Sequence, residues 1–120
     1  MRKKLSVMWI GTALGILVVG FNARIVHAGL LPGDPSRGKP IFLSFCAQCH
    51  GVKGDGNGVA APALMQKPAN FTDPNLWKGH DDAFFIHVIR RGRGVMAPYW
   101  DVLKPKQILD VLSYEKTFRK

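Results

Sequence analysis

The chain has 120 residues, 17 of them basic against 8 acidic, for a formal net charge of +9, and two cysteines. That length suits one small domain with a limited core. No basic stripe interleaved with aromatic residues supports binding along a nucleic-acid strand, so the charge excess points instead to an acidic protein partner or an anionic membrane surface.

Arg2, Lys3 and Lys4 form a basic start, Leu5 to Phe21 is an uncharged and largely apolar run, and Val26-His27-Ala28 offers small or β-branched residues where a signal peptidase would cut. Residues 1–28 are therefore predicted to be a signal peptide. The alternative is an uncleaved membrane anchor: the run is slightly longer than the usual apolar region of about 7–15 residues and short of the ~20 of a comfortable span. Cleavage before Gly29 leaves 29–120 as a single domain of 92 residues, exported to a periplasm, and the anchored alternative holds it on the periplasmic face of the inner membrane. Four basic residues leave with the segment, so 13 basic and 8 acidic residues remain, a net +5.

Asp34-Pro35-Ser36 opens the first helix of the domain, with a capping side chain and a proline suited to a first helical position, and the helix runs to about Cys46. Pro40 lacks the N–H of the helical ladder, which predicts a late start or a bend. The helix leads into Cys46-Ala47-Gln48-Cys49-His50, which contains both cysteines of the chain. Two thiols and an imidazole at this spacing are what covalent attachment of a c-type haem requires. Each thiol adds to one porphyrin vinyl group, and the following histidine lies beneath the iron as its proximal ligand. A thioredoxin-like pair needs no histidine here and belongs in a βαβ pattern that is absent, while zinc needs further cysteines or a well-spaced histidine pair. In so short a chain, haem is expected to supply part of the core as well as the function.

Gly51 to Lys78 carries Gly54, Gly56, Gly58, Pro62, Pro68 and Pro74 and reads as ordered loop rather than regular structure. The glycines of Gly54-Asp55-Gly56-Asn57-Gly58 are too close together, and lack a following Lys-Ser or Lys-Thr, to form a phosphate loop. A second helix is predicted from Asp81 to Arg91, with acids in its first turn, Arg90 and Arg91 in its last and Gly92 as the stop. A third runs from near Pro105 to about Phe118, with Val111, Tyr114 and Phe118 on one face and Ile108 and Leu112 beside it. No strand pattern competes with this all-α reading.

From about Asp34 to Phe118 these residues resemble the class I cytochromes c, which implies a small fold of about three main helices and long loops wrapped around one covalent haem. The resemblance rests on Cys46, Cys49 and His50 together with Gly38 and Phe42 in the first helix and Tyr114 in the last, where the family crosses its terminal helices. It implies that the Pro62 carbonyl bonds the His50 ring, that Leu64 lies against the porphyrin, and that Met96, in its Gly-rich turn before Pro98, is the second iron ligand. Lys67-Pro68-Ala69-Asn70-Phe71-Thr72-Asp73 and Met96-Ala97-Pro98-Tyr99-Trp100-Asp101 look like the short bacterial monohaem domains. Pro40, Lys104 at the capping site of the last helix, and Ala97 after the methionine depart from the pattern.

Candidates for the second ligand on chemical grounds are Met65, Met96, His80 and His87. Met65 is close in sequence to His50 and suits a haem wall or a surface, and the two histidines flank or sit on a helix. Met96 lies past that helix, in a loop stiffened by Pro98, and is favoured. A His50/Met96 pair raises the potential and fills both axial positions, which describes a periplasmic one-electron carrier rather than an enzyme. The alternative is the haem subunit of a larger respiratory or dehydrogenase complex. Expected partners are a donor dehydrogenase or quinol-oxidising complex and an acceptor oxidase or reductase with acidic docking surfaces, with membrane contact through an uncleaved N-terminus as the variant. Phe71, Trp77, Tyr99 and Trp100 are the aromatics expected to wall the pocket, and Arg90, Arg91 and Arg93 could pair with haem propionates or ring the docking edge, although for each a merely solvated charge is the reading favoured.

Overall fold

The computed structural model describes residues 32–120, so the predicted signal peptide lies outside the described residues. Five α-helices follow in order: α1 Pro35–Phe45, α2 Ala47–His50, α3 Pro74–Lys78, α4 Asp82–Arg91 and α5 Pro105–Glu115. Short 3₁₀ turns stand at Ala61–Ala63 and Lys116–Phe118. Among the described residues there is no strand beyond one isolated bridge between Arg93 and Met96, as the all-α reading expects, and no helix there is long and apolar enough to cross a membrane.

The Asp34 carboxylate accepts from the Ser36 N–H at 2.8 Å and caps α1, with Pro35 in the first turn. The helix begins at Pro35 and passes through Pro40, so it does not start late. Pro40 is exposed, so the carbonyl it leaves unbonded can turn to water. The predicted long loop also holds more regular structure than its glycines and prolines suggested. Asp73 accepts from the Asn75 N–H at 2.9 Å and caps the one-turn helix α3. The third predicted helix is α-helical only to Glu115 and tightens into a 3₁₀ turn over its last residues.

α1 and α5, the first and last helices of the described residues, cross at close range and form the spine of the fold. Gly38 makes the crossing possible: a Cβ there would stand 2.5 Å from the Asp110 carbonyl carbon and 2.9 Å from the Tyr114 Cβ. One turn on, Phe42 is fully buried and meets the rings of Tyr114 and Phe118 at 5.4 and 5.3 Å. Asp110, only 2% exposed, ties the same crossing. Its carboxylate accepts from the Asp34 N–H at 2.7 Å and from Arg37 at 3.0 and 3.2 Å, and it pairs with Lys106. Burial alone would raise its pKa, but these donors overrule it and hold the carboxyl well below the usual range. Phe85 and Ile89 of α4 join Trp77, Leu103, Ile108, Val111 and Leu112 in the same buried core. Lys104 has no acceptor to cap α5, and the Gln107 Oε1 instead takes the Lys104 N–H at 2.9 Å.

Candidate haem-binding site

Cys46 ends α1, and α2 follows at once, so Cys46, Cys49 and His50 stand together at the head of the spine. The His50 N–H closes this turn on the Cys46 carbonyl at 2.9 Å. Gly51 then leaves it at a φ of 80°, a left-handed conformation that suits glycine. The returning loop lies directly on α2, since a Cβ on Gly58 would sit 2.7 Å from the Ala47 carbonyl oxygen.

The imidazole of His50 is buried and held on two sides. Its Nδ1 is 3.1 Å from the Ala69 carbonyl oxygen. A carbonyl only accepts, so Nδ1 carries the hydrogen and Nε2 keeps a free lone pair. Phe71 stacks on the ring at 4.8 Å and 24°, and is itself fixed by its N–H to the Gly54 carbonyl at 2.7 Å and by the Trp77 indole N–H to its own carbonyl at 2.8 Å. Burial lowers the pKa of His50 against the opposing effect of the Ala69 bond, which favours the neutral ring that a metal needs.

A pocket of about 450 Å³ opens beside these residues. Cys46, Cys49 and His50 line it from the spine, and Leu64 and Met96 line it from the loops. Met96 sits in a turn that closes on itself through two backbone bonds with Arg93, at 3.0 and 3.1 Å. Gly92 enters that turn at a φ of 74°, and a Cβ there would strike the Met96 carbonyl oxygen at 2.5 Å. Tyr99 anchors the far end of the turn: its N–H reaches the Ile89 carbonyl at 3.0 Å and its hydroxyl the Phe45 carbonyl at 2.9 Å. Met96 is thus fixed between α4 and α1.

Several sequence expectations change here. Pro62 is exposed and outside the pocket. The chain runs outward through Pro62, Ala63 and the fully exposed Met65 before returning at Pro68 and Ala69, so the carbonyl behind His50 belongs to Ala69. Met65 is therefore a surface residue. Neither His80, bonded to the Leu76 carbonyl at 3.0 Å and stacked on Phe84, nor the exposed His87 reaches the pocket. Of the four aromatic residues expected to wall it, only Tyr99 does so. Phe71 backs His50, Trp77 packs between Phe71 and Phe85, and Trp100 is 62% exposed. Arg93 lines the pocket mouth with its guanidinium over Phe84 at 5.3 Å, whereas Arg90 and Arg91 are exposed elsewhere on α4. Sequence reasoning did not single out the Ala69 carbonyl or Glu115, which also lines the pocket.

Two free thiols, a neutral imidazole with one fixed nitrogen and a largely apolar cavity fit a haem c bonded through both cysteines. Residues 33–114 match the family described as cytochrome c oxidase, cbb3-type, subunit III. The chain is 28% identical over 102 residues to a cytochrome c-553-like protein of Synechocystis, covering 82% of this chain and 83% of that one. It is 36% identical over 69 residues to the cbb3-type cytochrome c oxidase subunit FixP of Bradyrhizobium diazoefficiens, covering 57% of this chain and only 21% of the subunit. Among solved structures, the KustC0563 c-type cytochrome superposes with a TM-score of 0.61 at 25% identity, over 69% of this chain and 98% of that one. From the extent of that family match, the chain belongs to the cytochrome c family and is an electron-transfer domain carrying covalently bound haem c.

Proposed function

We propose that the chain is a periplasmic one-electron carrier in which Cys46 and Cys49 would hold the haem by thioether bonds and His50 and Met96 would bind its iron. The haem iron, when bound, supplies the one-electron couple. The observation that carries the reading is the Met96 turn, closed on Arg93 and tied to Ile89 and Phe45 through Tyr99, which sets Met96 in the wall of the pocket that His50 also lines. Ala69 and Phe71 orient the imidazole. A Met96 thioether as the second ligand would favour the reduced state more than a second imidazole. With His50 and Met96 both supplying ligands, the iron would serve electron transfer rather than substrate binding.

The net +5 of residues 29–120 suits acidic docking surfaces on a donor dehydrogenase or quinol-oxidising complex and on an acceptor oxidase or reductase. A second reading, a haem subunit held in a larger complex, draws on the similarity to FixP, of which this chain spans about a fifth. Carbon monoxide tests the ligation. The ferrous wild-type protein should refuse it, while Met96→Ala should bind it, retain covalent haem and show a lower reduction potential. Wild-type binding of carbon monoxide, or an unchanged potential in Met96→Ala, would remove Met96 as the ligand.

A further inference from the structure

Glu115 is an acid where α5 should be apolar. It stands seven residues after Ile108, four after Val111 and three after Leu112, on the stripe that the helix buries. It is 3% exposed and lines the pocket together with Cys46, Cys49 and His50. It also occupies the last residue of α5, where the helix dipole disfavours negative charge.

The cations nearby in sequence are committed elsewhere. Lys116 pairs with Asp82, and the Arg119 guanidinium lies over Trp77 at 5.3 Å. On α5 itself, Asp110 is saturated by Arg37 and Lys106. The other titratable groups lining the pocket are Cys46 at the end of α1, Cys49 and His50 from α2, and Lys67, Arg93 and Tyr99 from the loops. Haem attachment consumes both thiols. Among the described residues Glu115 forms no ion pair or side-chain hydrogen bond with any of these groups, and no side-chain oxygen there is sealed off without a partner. Its carboxyl is therefore not sealed in the core, and Glu115 lines the pocket that haem would fill. Burial pushes its pKa up to about 8, because an unpaired charge is costly in an apolar wall.

We propose that Glu115 is a proton-coupling residue: its carboxylate takes one proton from solvent when the haem gains an electron from its donor, and returns that proton to solvent when the electron leaves. The balance is one electron and one proton inward on reduction, and the same pair outward on oxidation. The oxidised iron carries one more positive charge and favours the carboxylate, whereas reduction removes that charge and favours the acid. The carboxyl thus has a higher pKa in the reduced protein, and between the two pKa values the reduction potential falls as pH rises. This deepens the carrier reading and rests on the haem pocket, not on the identity of the ligand opposite His50.

The test is a redox titration of the intact holoprotein, followed by haem absorbance across the neutral pH range. The wild-type potential should fall by up to about 59 mV per pH unit, the one-electron equivalent of a tenfold change in proton activity. Glu115→Gln keeps the shape without the titration and should flatten the slope, and Glu115→Leu, which restores an apolar stripe, serves if the amide fails to fold. Redox-difference infrared spectra should show a protonated carboxyl band appearing on reduction of the wild type and missing from both variants. A pH-independent wild-type potential, or a slope that survives both substitutions, overturns the assignment. Carbon monoxide binding by the wild type would instead overturn only the Met96 ligation.

Discussion

Gly38→Ala isolates the helix crossing on which the pocket is built. The new Cβ would lie 2.5 Å from the Asp110 carbonyl carbon and 2.9 Å from the Tyr114 Cβ, and both are contacts that real side chains avoid. The first obstacle is helix backbone, so α5 must move away from α1 and draw Asp110 from Arg37 and the Asp34 N–H. Overpacking of a core costs ~1–3 kcal/mol and occasionally more, and a clash with backbone belongs at the upper end. Alanine recovers ~1 kcal/mol of helix propensity over glycine, which leaves a net loss of ~2 kcal/mol. For a domain of this size that lowers the melting temperature by ~8–16 °C. Thermal unfolding of the holoprotein, followed by circular dichroism and by haem absorbance, measures the loss. Gly79→Ala is the control, because the nearest atom to its Cβ, the Asn75 carbonyl oxygen, is 3.6 Å away and its φ is −87°; it should be neutral or slightly stabilising. A Gly38→Ala protein that melts with the wild type, or a Gly79→Ala protein that melts as early as Gly38→Ala, would refute the reasoning.

Electron transfer to an isolated physiological partner should slow as ionic strength rises and the Debye length shrinks from about 10 Å at 0.1 M to ~3 Å at 1 M. Arg93→Glu, at the pocket mouth, should slow it further, and a stopped-flow rate that is flat or rising with salt would remove the acidic partner. The folded pKa of Asp110 lies below its unfolded value of about 3.9, so the stability it contributes is full above that value and is lost as pH falls toward the folded one. Asp110→Asn should therefore be less stable at neutral pH and lose less on acidification, and denaturant curves with the same acid dependence as the wild type would contradict the ion-pair account.

The haem motif and helices α1, α4 and α5 were legible because their signals are local: thiol spacing, capping acids, a stop glycine and apolar periodicity. Asp81 and Gly92 bound α4 as its sequence predicts. The short helices were harder to see. α2 is four residues long, too short for a period, and α3 is hidden among the prolines and glycines that marked its surroundings as loop. The carbonyl behind His50 depends on where a loop re-enters the core, and counting residues cannot distinguish Pro62 from Ala69. Glu115 went unnoticed for another reason: a lone acid near a helix end looks like surface, and only the tertiary placement of α5 turns it toward the pocket.

The pairing of α1 with α5 also bears on the order in which the molecule is made. Asp34 and Asp110, which meet through a hydrogen bond, are 76 residues apart in sequence, so their contact must wait until the last helix has been made. The chain is made from its N-terminus, so Cys46 and Cys49 exist for a time without the last helix that completes their surroundings. In a fold closed before haem is attached, the Cys46 thiol is pushed up to about 12, first by burial and then by Glu115 and Cys49, and a thiol so reluctant to ionise is a poor nucleophile. Attachment that precedes the closure of α1 on α5 would therefore meet a more exposed and more readily ionised Cys46 than attachment after it.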